Sequence, residues 1–94
     1  MSQKTEAALA RLDVLLPMLA DLPAASEKAQ LIETAEALRR AVAAFHMEAI
    51  RFRMYSVDRL LRQMDDTGAC RQQFDELRRE LEAAGFHTRS HTAP

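Results

Sequence analysis

The chain is poor in the residues that sheets and tight turns require. Its 94 residues include only 2 Gly, 3 Pro and 1 Tyr, and no Trp, and aromatic residues make up 5% of the whole. Turns between strands favour Gly and Pro, and strands favour aromatic and β-branched residues, so this composition argues against a β-sheet fold. Ala, Leu, Glu and Arg are abundant instead, and these residues have high helix propensities. We therefore expect an all-α fold.

Cysteine and long apolar runs are also scarce, which bears on where the chain resides. Cys70 is the single cysteine, so it cannot form an internal disulfide, and this fits a reducing compartment. The longest apolar run, residues 14–20, is interrupted by Pro17 and is far shorter than the roughly 20 residues of a membrane span. The first six residues lack the apolar core of a signal peptide. The sequence therefore predicts a cytoplasmic protein with no membrane association.

The chain is short enough to form only one domain. We expect a single helical domain over residues 1–86 and a flexible C-terminal tail over residues 87–94. Between Gln3 and Asp21, leucines recur at alternating three- and four-residue spacing, which is typical of a helix that packs on another helix. Pro17 lies within this segment, so we expect either a kink there or two short helices that meet.

A second, much longer helix is predicted because no Gly or Pro interrupts the chain over residues 26–66. A continuous helix of this length would measure about 60 Å. A third, shorter helix follows Gly68. It is predicted to end at Gly85 in a left-handed conformation, with Phe86 folding back onto the helix.

The long helix carries two apolar stripes. The first comprises Leu31, Leu38, Phe45 and Phe52 at strict seven-residue spacing, with Ala35, Val42 and Ala49 beside it. The second comprises Met47, Ile50, Met54, Val57, Leu61 and Met64. Together the stripes cover more of the helix than a single neighbouring helix can bury.

The fold prediction follows from these stripes. At a rise of about 1.5 Å per residue, the first and third helices laid end to end are only about as long as the central helix. They can therefore cover it along one side only. We therefore predict three helices with a long central helix, in a coiled-coil-like helical bundle completed by homodimerisation, with the stripe from Met47 to Met64 as the interface. The alternative is a monomeric four-helix bundle in which the long helix breaks near Ser56.

Charge is concentrated in the middle of the chain although the net charge is only −1. Residues 39–62 contain six Arg against two acidic residues, Glu48 and Asp58. The simplest interpretation is that a basic central helix faces acidic flanking helices, with local pairs such as that between Asp58 and Arg62. A nucleic-acid partner is not expected, because such binders normally have a net basic domain.

Three residues between the two stripes could bind an anion. Arg39, His46 and Arg53 lie seven residues apart and form a column along the predicted helix. Buried guanidinium groups need carboxylate partners, and Asp13 and Asp21 are the nearest candidates. In the alternative interpretation, the column accepts an anionic ligand or a phosphoryl group.

No arrangement typical of an enzyme is present. The sequence has no glycine-rich phosphate loop, zinc framework or nucleophile motif, and we interpret Cys70 as a small buried residue. We predict no catalytic residues, no cofactor and no metal site. The predicted function is that of a helical adaptor or regulatory protein that homodimerises through its central helix and binds another protein. The alternative is a module that binds an anionic ligand or accepts a phosphoryl group at Arg39, His46 and Arg53.

Overall fold

Four α-helices account for most of residues 5–86, the part of the chain that the computed structural model describes. They are α1 (Glu6–Ala20), α2 (Lys28–Ala43), α3 (Met47–Gln63) and α4 (Gly68–Ala83), and no strand occurs in that range. The prediction of an all-α fold is confirmed. The predicted tail, residues 87–94, lies outside the described residues.

The predicted long central helix is wrong, because the chain turns back at residues 44–46, which we call the hinge. There α2 ends in a Schellman motif, in which two amide groups bond back to carbonyls of the last turn. The Phe45 amide donates to the Val42 carbonyl at 3.2 Å, and the His46 amide donates to the Ala41 carbonyl at 3.0 Å. The motif requires one residue in the left-handed region, and Phe45 adopts it with φ of 60°.

Local preference does not explain this break, since a left-handed residue other than Gly costs about 1–2 kcal/mol. Packing explains it. Folding back places α3 against α2 and fully buries Ile50, Met54 and Val57, each of which is worth roughly 1.5–3 kcal/mol of hydrophobic stabilisation. The alternative with four helices was therefore right about their number. Its break point was wrong, because Ser56 lies buried inside α3.

The helices follow one another in space in the order α4, α1, α2, α3. α1 packs against both α2 and α4, and α3 packs against α2. The described residues form a flattened body of 36 × 31 × 19 Å. One face of every helix contributes to a shared core, whose largest fully buried side chains are Phe74, Leu12, Leu15, Leu19, Leu31, Leu38, Ile50, Met54, Leu61, Leu77, Leu81 and Val42.

This core contains most of the predicted dimer interface. Ile50, Met54, Val57 and Leu61 are buried within the single chain, Met64 is half-buried, and only Met47 is exposed. The four buried side chains are therefore not available for contact with a second copy while the chain keeps this fold, which we call the closed chain. The two stripes together needed more than one neighbouring helix to cover them. Because the chain turns back at the hinge, α2 and α3 of the same chain pack on each other.

The ends of α1 and α4 agree with the sequence to different degrees. α4 ends in a second Schellman motif, in which Gly85 has φ of 98° and the Phe86 amide donates to the Leu81 carbonyl at 2.9 Å. Phe86 is buried, so the predicted cap and fold-back are confirmed. α1 continues through Pro17 to Ala20, so two short helices do not meet there. Pro17 has no amide hydrogen to donate to the carbonyl four residues earlier. Pro17 is exposed, so that carbonyl lies within reach of water.

A buried ion pair links α3 to α4, which follow each other along the chain. The carboxylate of Asp58 lies 2.6 Å from Nη2 of Arg71 and 3.1 Å from Nε of Arg62. The Asp58 side chain is only 9% exposed, so its charge needs these two partners. The predicted pair between Asp58 and Arg62 is confirmed, and we assign Asp58 a structural role.

Candidate functional site

A shallow groove runs between α2 and α3 beside the hinge. Its volume is about 300 Å³, and it is lined by Ala37, Arg40, Ala41, Ala44, His46, Ala49 and Arg53. Four of these seven residues are alanines, so the floor is flat and apolar. The three long side chains carry or can carry positive charge. We call this surface the α2–α3 groove.

The cations of the α2–α3 groove lack acidic partners. Within residues 5–86, no ion pair involves Arg40, His46 or Arg53. Arg53 instead lies over the ring of Phe52, with its guanidinium carbon 5.2 Å from the ring centre. Most other arginines of this region contact a carboxylate, as Arg51 does with Glu48 at 3.8 Å. The groove is therefore a local concentration of uncompensated positive charge on an otherwise balanced protein.

The predicted column of Arg39, His46 and Arg53 is divided by the fold. His46 and Arg53 both line the groove, whereas Arg39 points to α1 and binds Asp13. Nε of Arg39 donates to Oδ1 of Asp13 at 2.8 Å, and Nη2 donates to Oδ2 at 3.3 Å. Asp13 was one of the two predicted partners, and this pairing is confirmed.

This ion pair changes the acidity of both groups. The hydrogen bond from Arg39 lowers the pKa of the Asp13 carboxyl, and the same bond raises the pKa of Arg39. Because the pKa of Asp13 is lower in the folded state, the pair stabilises the fold at pH values above the ordinary pKa of an Asp side chain. Its contribution is lost as the pH falls through the lowered pKa. Both side chains are exposed, so the contribution is small.

Arg40 lines the groove together with His46 and Arg53, whereas the sequence predicted Arg39 in this position. On a continuous helix, Arg40 would lie far from Arg53, because 13 residues separate them by about 20 Å. The turn at the hinge brings the end of α2 beside the start of α3 and places both residues on one groove. No sequence signal identifies this pairing without the position of the break.

Three aromatic side chains of α3 and the hinge are exposed. Phe52 is 52% exposed, and Tyr55, one turn further along α3, is 42% exposed. Phe45 is also exposed, although its ring stacks on Phe86 with centroids 5.7 Å apart. Large exposed apolar residues are enriched where proteins bind partners. The first predicted stripe is thus split, because Leu31 and Leu38 are buried whereas Phe45 and Phe52 are not.

A second cavity, of about 350 Å³, lies between the end of α1 and the start of α4. It is lined by Met18, Asp21, Leu22, Pro23, Asp66, Ala69 and Cys70. Burial raises the pKa of the Cys70 thiol, so the thiolate that reacts or binds metal is disfavoured. Cys70 belongs to the core, as the sequence suggested.

Cys70 is expected to react slowly with iodoacetamide in the folded protein. Its thiol is buried and its pKa is raised, so alkylation should be at least about tenfold slower than for an exposed cysteine. Mass spectrometry of timed samples measures the rate. The same chain in urea is the control and should react at the ordinary rate, and equal rates in the two conditions would contradict the burial.

Across residues 5–86, no three His, Cys, Asp or Glu side chains are placed so that they could hold a metal ion. None of the helices in this part of the chain combines the length and the apolar character needed to cross a membrane. Comparisons of the chain with protein-family models, with curated proteins and with solved structures find no match.

Proposed function

We propose that this protein is a small helical interaction module that binds an acidic helical segment of another protein in the α2–α3 groove. The observation that carries the proposal is that Arg40, Arg53 and His46 surround an alanine floor and form no ion pair in the described chain. We further propose an adaptor or regulatory role in the cytoplasm, rather than a catalytic one.

The floor of the groove suits a helix. Ala37 and Ala41 lie one turn apart on α2, Ala44 lies in the hinge three residues further on, and Ala49 lines the groove from α3. Side chains this small allow another helix to approach closely, because the distance between helix axes depends on the side chains at the contact. Amphipathic helices commonly bind in such grooves through one face.

The surroundings of the groove define the chemistry of the partner. Unpaired arginines favour Asp and Glu on the partner and disfavour Lys and Arg. Phe52, beside Arg53, offers an apolar anchor of the kind that dominates binding energy at interfaces. The expected partner segment therefore has a stripe of small or apolar residues flanked by carboxylates.

A selection of displayed helical peptides against the folded protein tests this proposal. Peptides that bind should be enriched in Asp and Glu on both sides of an apolar stripe. Fluorescence anisotropy should then show at least about tenfold weaker binding to the double variant Arg40→Glu, Arg53→Glu, since each close charge pair contributes about 1 kcal/mol or more.

Arg59→Glu is the matched control. Arg59 lies on the same helix as Arg53, is exposed and lies outside the groove, so the variant should bind the selected peptides within about twofold of the original protein. Selected peptides without acidic enrichment, or equal loss of binding in Arg59→Glu, would contradict the proposal.

The second candidate function is the binding of a small anion or phosphoryl group. The two arginines and His46 favour it as well, with Arg40 in place of the predicted Arg39. Titration with pyrophosphate distinguishes the two candidates. If pyrophosphate saturates the groove at micromolar concentration and the selected peptides bind no more tightly, the groove is an anion site. Weak binding of pyrophosphate, in the millimolar range, supports the peptide.

The homodimer predicted from the sequence also remains a proposal. The closed chain buries the stripe from Ile50 to Leu61, so two closed copies cannot associate through it. A second copy can use this stripe only if α3 leaves its own α2.

A further inference from the structure

The hinge has an unusual sequence for a chain reversal. Residues 41–49 read AVAAFHMEA, with four alanines and no Gly, Pro, Asn or Asp. Alanine has the highest helix propensity, and the missing residues are those that normally end helices. The one residue forced into the left-handed region is Phe45, a conformation that side chains of this type rarely adopt. Local preferences at the hinge therefore favour a continuous helix.

The apolar pattern is also continuous through the hinge. Leu31, Leu38, Phe45 and Phe52 are spaced seven residues apart, so on one helix they would form a single stripe. In the closed chain the stripe is interrupted, because the two leucines are buried while Phe45 and Phe52 are 44% and 52% exposed. Phe45 and Phe52 thus lie where a straightened helix would extend the stripe that Leu31 and Leu38 begin.

We propose that two copies of this chain exchange their α3–α4 halves. The hinge straightens, α2 and α3 become one helix over residues 28–63, and the α3–α4 half of each copy packs on the α1–α2 half of the other. The contacts of α2 with α3 and of α1 with α4, which hold the closed chain together, are then formed between copies. This exchange requires no ligand in the α2–α3 groove and is independent of the function proposed above.

Three features favour the exchange over a contact between closed copies. It uses packing surfaces that are already complementary, because each is taken from the closed fold. It releases Phe45 from the left-handed region. It also joins Phe45 and Phe52 to Leu31 and Leu38 in one stripe on the straightened helix. Its cost is association, so the exchanged dimer forms at high protein concentration.

A pair of substitutions at Phe45 tests the role of the hinge. Phe45→Ala and Phe45→Gly both remove the ring, but Ala resists the left-handed region and favours a helix, whereas Gly does the reverse. The equilibrium constant for straightening one hinge should be about tenfold larger in Phe45→Ala than in Phe45→Gly. Because the dimer contains two hinges, its dissociation constant should differ about a hundredfold between the two variants. Analytical ultracentrifugation measures the constants, with Phe45→Ala the more dimeric variant.

Met47→Pro should abolish the exchange without unfolding the closed chain. Met47 is the first residue of α3, where proline is well tolerated because the amide has no helical partner. In a continuous helix, the same proline would remove a backbone bond and clash with the preceding turn. The variant should therefore remain monomeric, with an unchanged circular dichroism spectrum.

Distances within one chain distinguish the exchange from a dimer of closed copies. Spin labels at Glu33→Cys and Arg59→Cys, both exposed positions, in a Cys70→Ala background should lie less than about 25 Å apart on packed neighbouring helices. On one helix they should lie about 39 Å apart, from 26 residues at about 1.5 Å each. The labelled Phe45→Ala chain, refolded with an excess of unlabelled Phe45→Ala, should show the longer distance in its dimer.

A short distance in that dimer would overturn the proposal. So would equal dissociation constants for the two Phe45 variants, or the absence of dimer in Phe45→Ala at about 1 mM.

Discussion

Val57→Glu is expected to lower the free energy of unfolding by more than about 4 kcal/mol. Val57 is fully buried on the face of α3 that meets the core. The substitution both removes apolar contacts and places a carboxylate in the hydrophobic core, where burial penalises the charged form. A domain of this length has a total stability of about 5–14 kcal/mol. Urea denaturation followed by circular dichroism measures the loss.

Phe52→Glu is the matched control for this prediction. It introduces the same carboxylate on the same helix, but Phe52 points to solvent, so stability should change by less than about 1 kcal/mol. The sequence pattern alone places both residues on apolar stripes of equal rank. Similar losses of stability in the two variants would therefore mean that α3 does not present its Phe52 face to water. The Phe52 variant should also bind selected acidic peptides less tightly, provided that Phe52 anchors the partner.

Phe74→Ala should lower the free energy of unfolding by about 3–5 kcal/mol. Phe74 is one of the largest fully buried side chains, and it lies where α4 meets the core. Arg71 and Arg78 lie over its ring, with guanidinium carbons 5.6 and 5.0 Å from the centroid. Truncation would leave a cavity and also remove the aromatic face on which both guanidinium groups rest.

Phe74→Leu separates the cavity from the loss of the ring. Leucine keeps most of the apolar volume, so the change in packing should lower the free energy of unfolding by less than about 1.5 kcal/mol. Loss of the two contacts between the ring and the guanidinium groups should lower it by about 0.5–1 kcal/mol more for each contact. Thermal unfolding should therefore rank the original protein above Phe74→Leu and both above Phe74→Ala. If Phe74→Ala cost less than about 1 kcal/mol, the ring would not be in the core.

Several features of the fold follow from residues that act locally. The scarcity of Gly, Pro and aromatic residues predicted the all-α class, and Gly85 predicted the end of α4, because glycine adopts a positive φ without steric cost. The spacing of leucines before Asp21 predicted α1, which continues through Pro17 as one helix instead of two short ones. The link between Arg39 and Asp13 was also predictable, because a cation beside apolar stripes needs a carboxylate.

The α2–α3 groove was not predictable in the same way. His46 and Arg53 were grouped from their spacing and both line the groove, whereas Arg39 binds Asp13. Arg40, which the spacing did not select, lines the groove. Which arginine joins them depends on where the chain turns, and residues 44–46 contain no turn signal. Once the turn is placed, a shift of one residue along α2 moves a side chain from the groove to the contact with α1, because neighbouring positions on a helix point about 100° apart.

The sequence by itself determined that this chain is helical, where α4 ends, and which side chains seek burial. Only the tertiary structure decided which parts of the two apolar stripes are buried and that the central segment forms two helices. The physical reason is a competition between local and distant terms. Helix propensity and the cost of a left-handed Phe45 act within a few residues and favour one long helix, at about 1–2 kcal/mol. Burial of Ile50, Met54 and Val57 acts between segments distant in sequence, is several times larger, and therefore prevails.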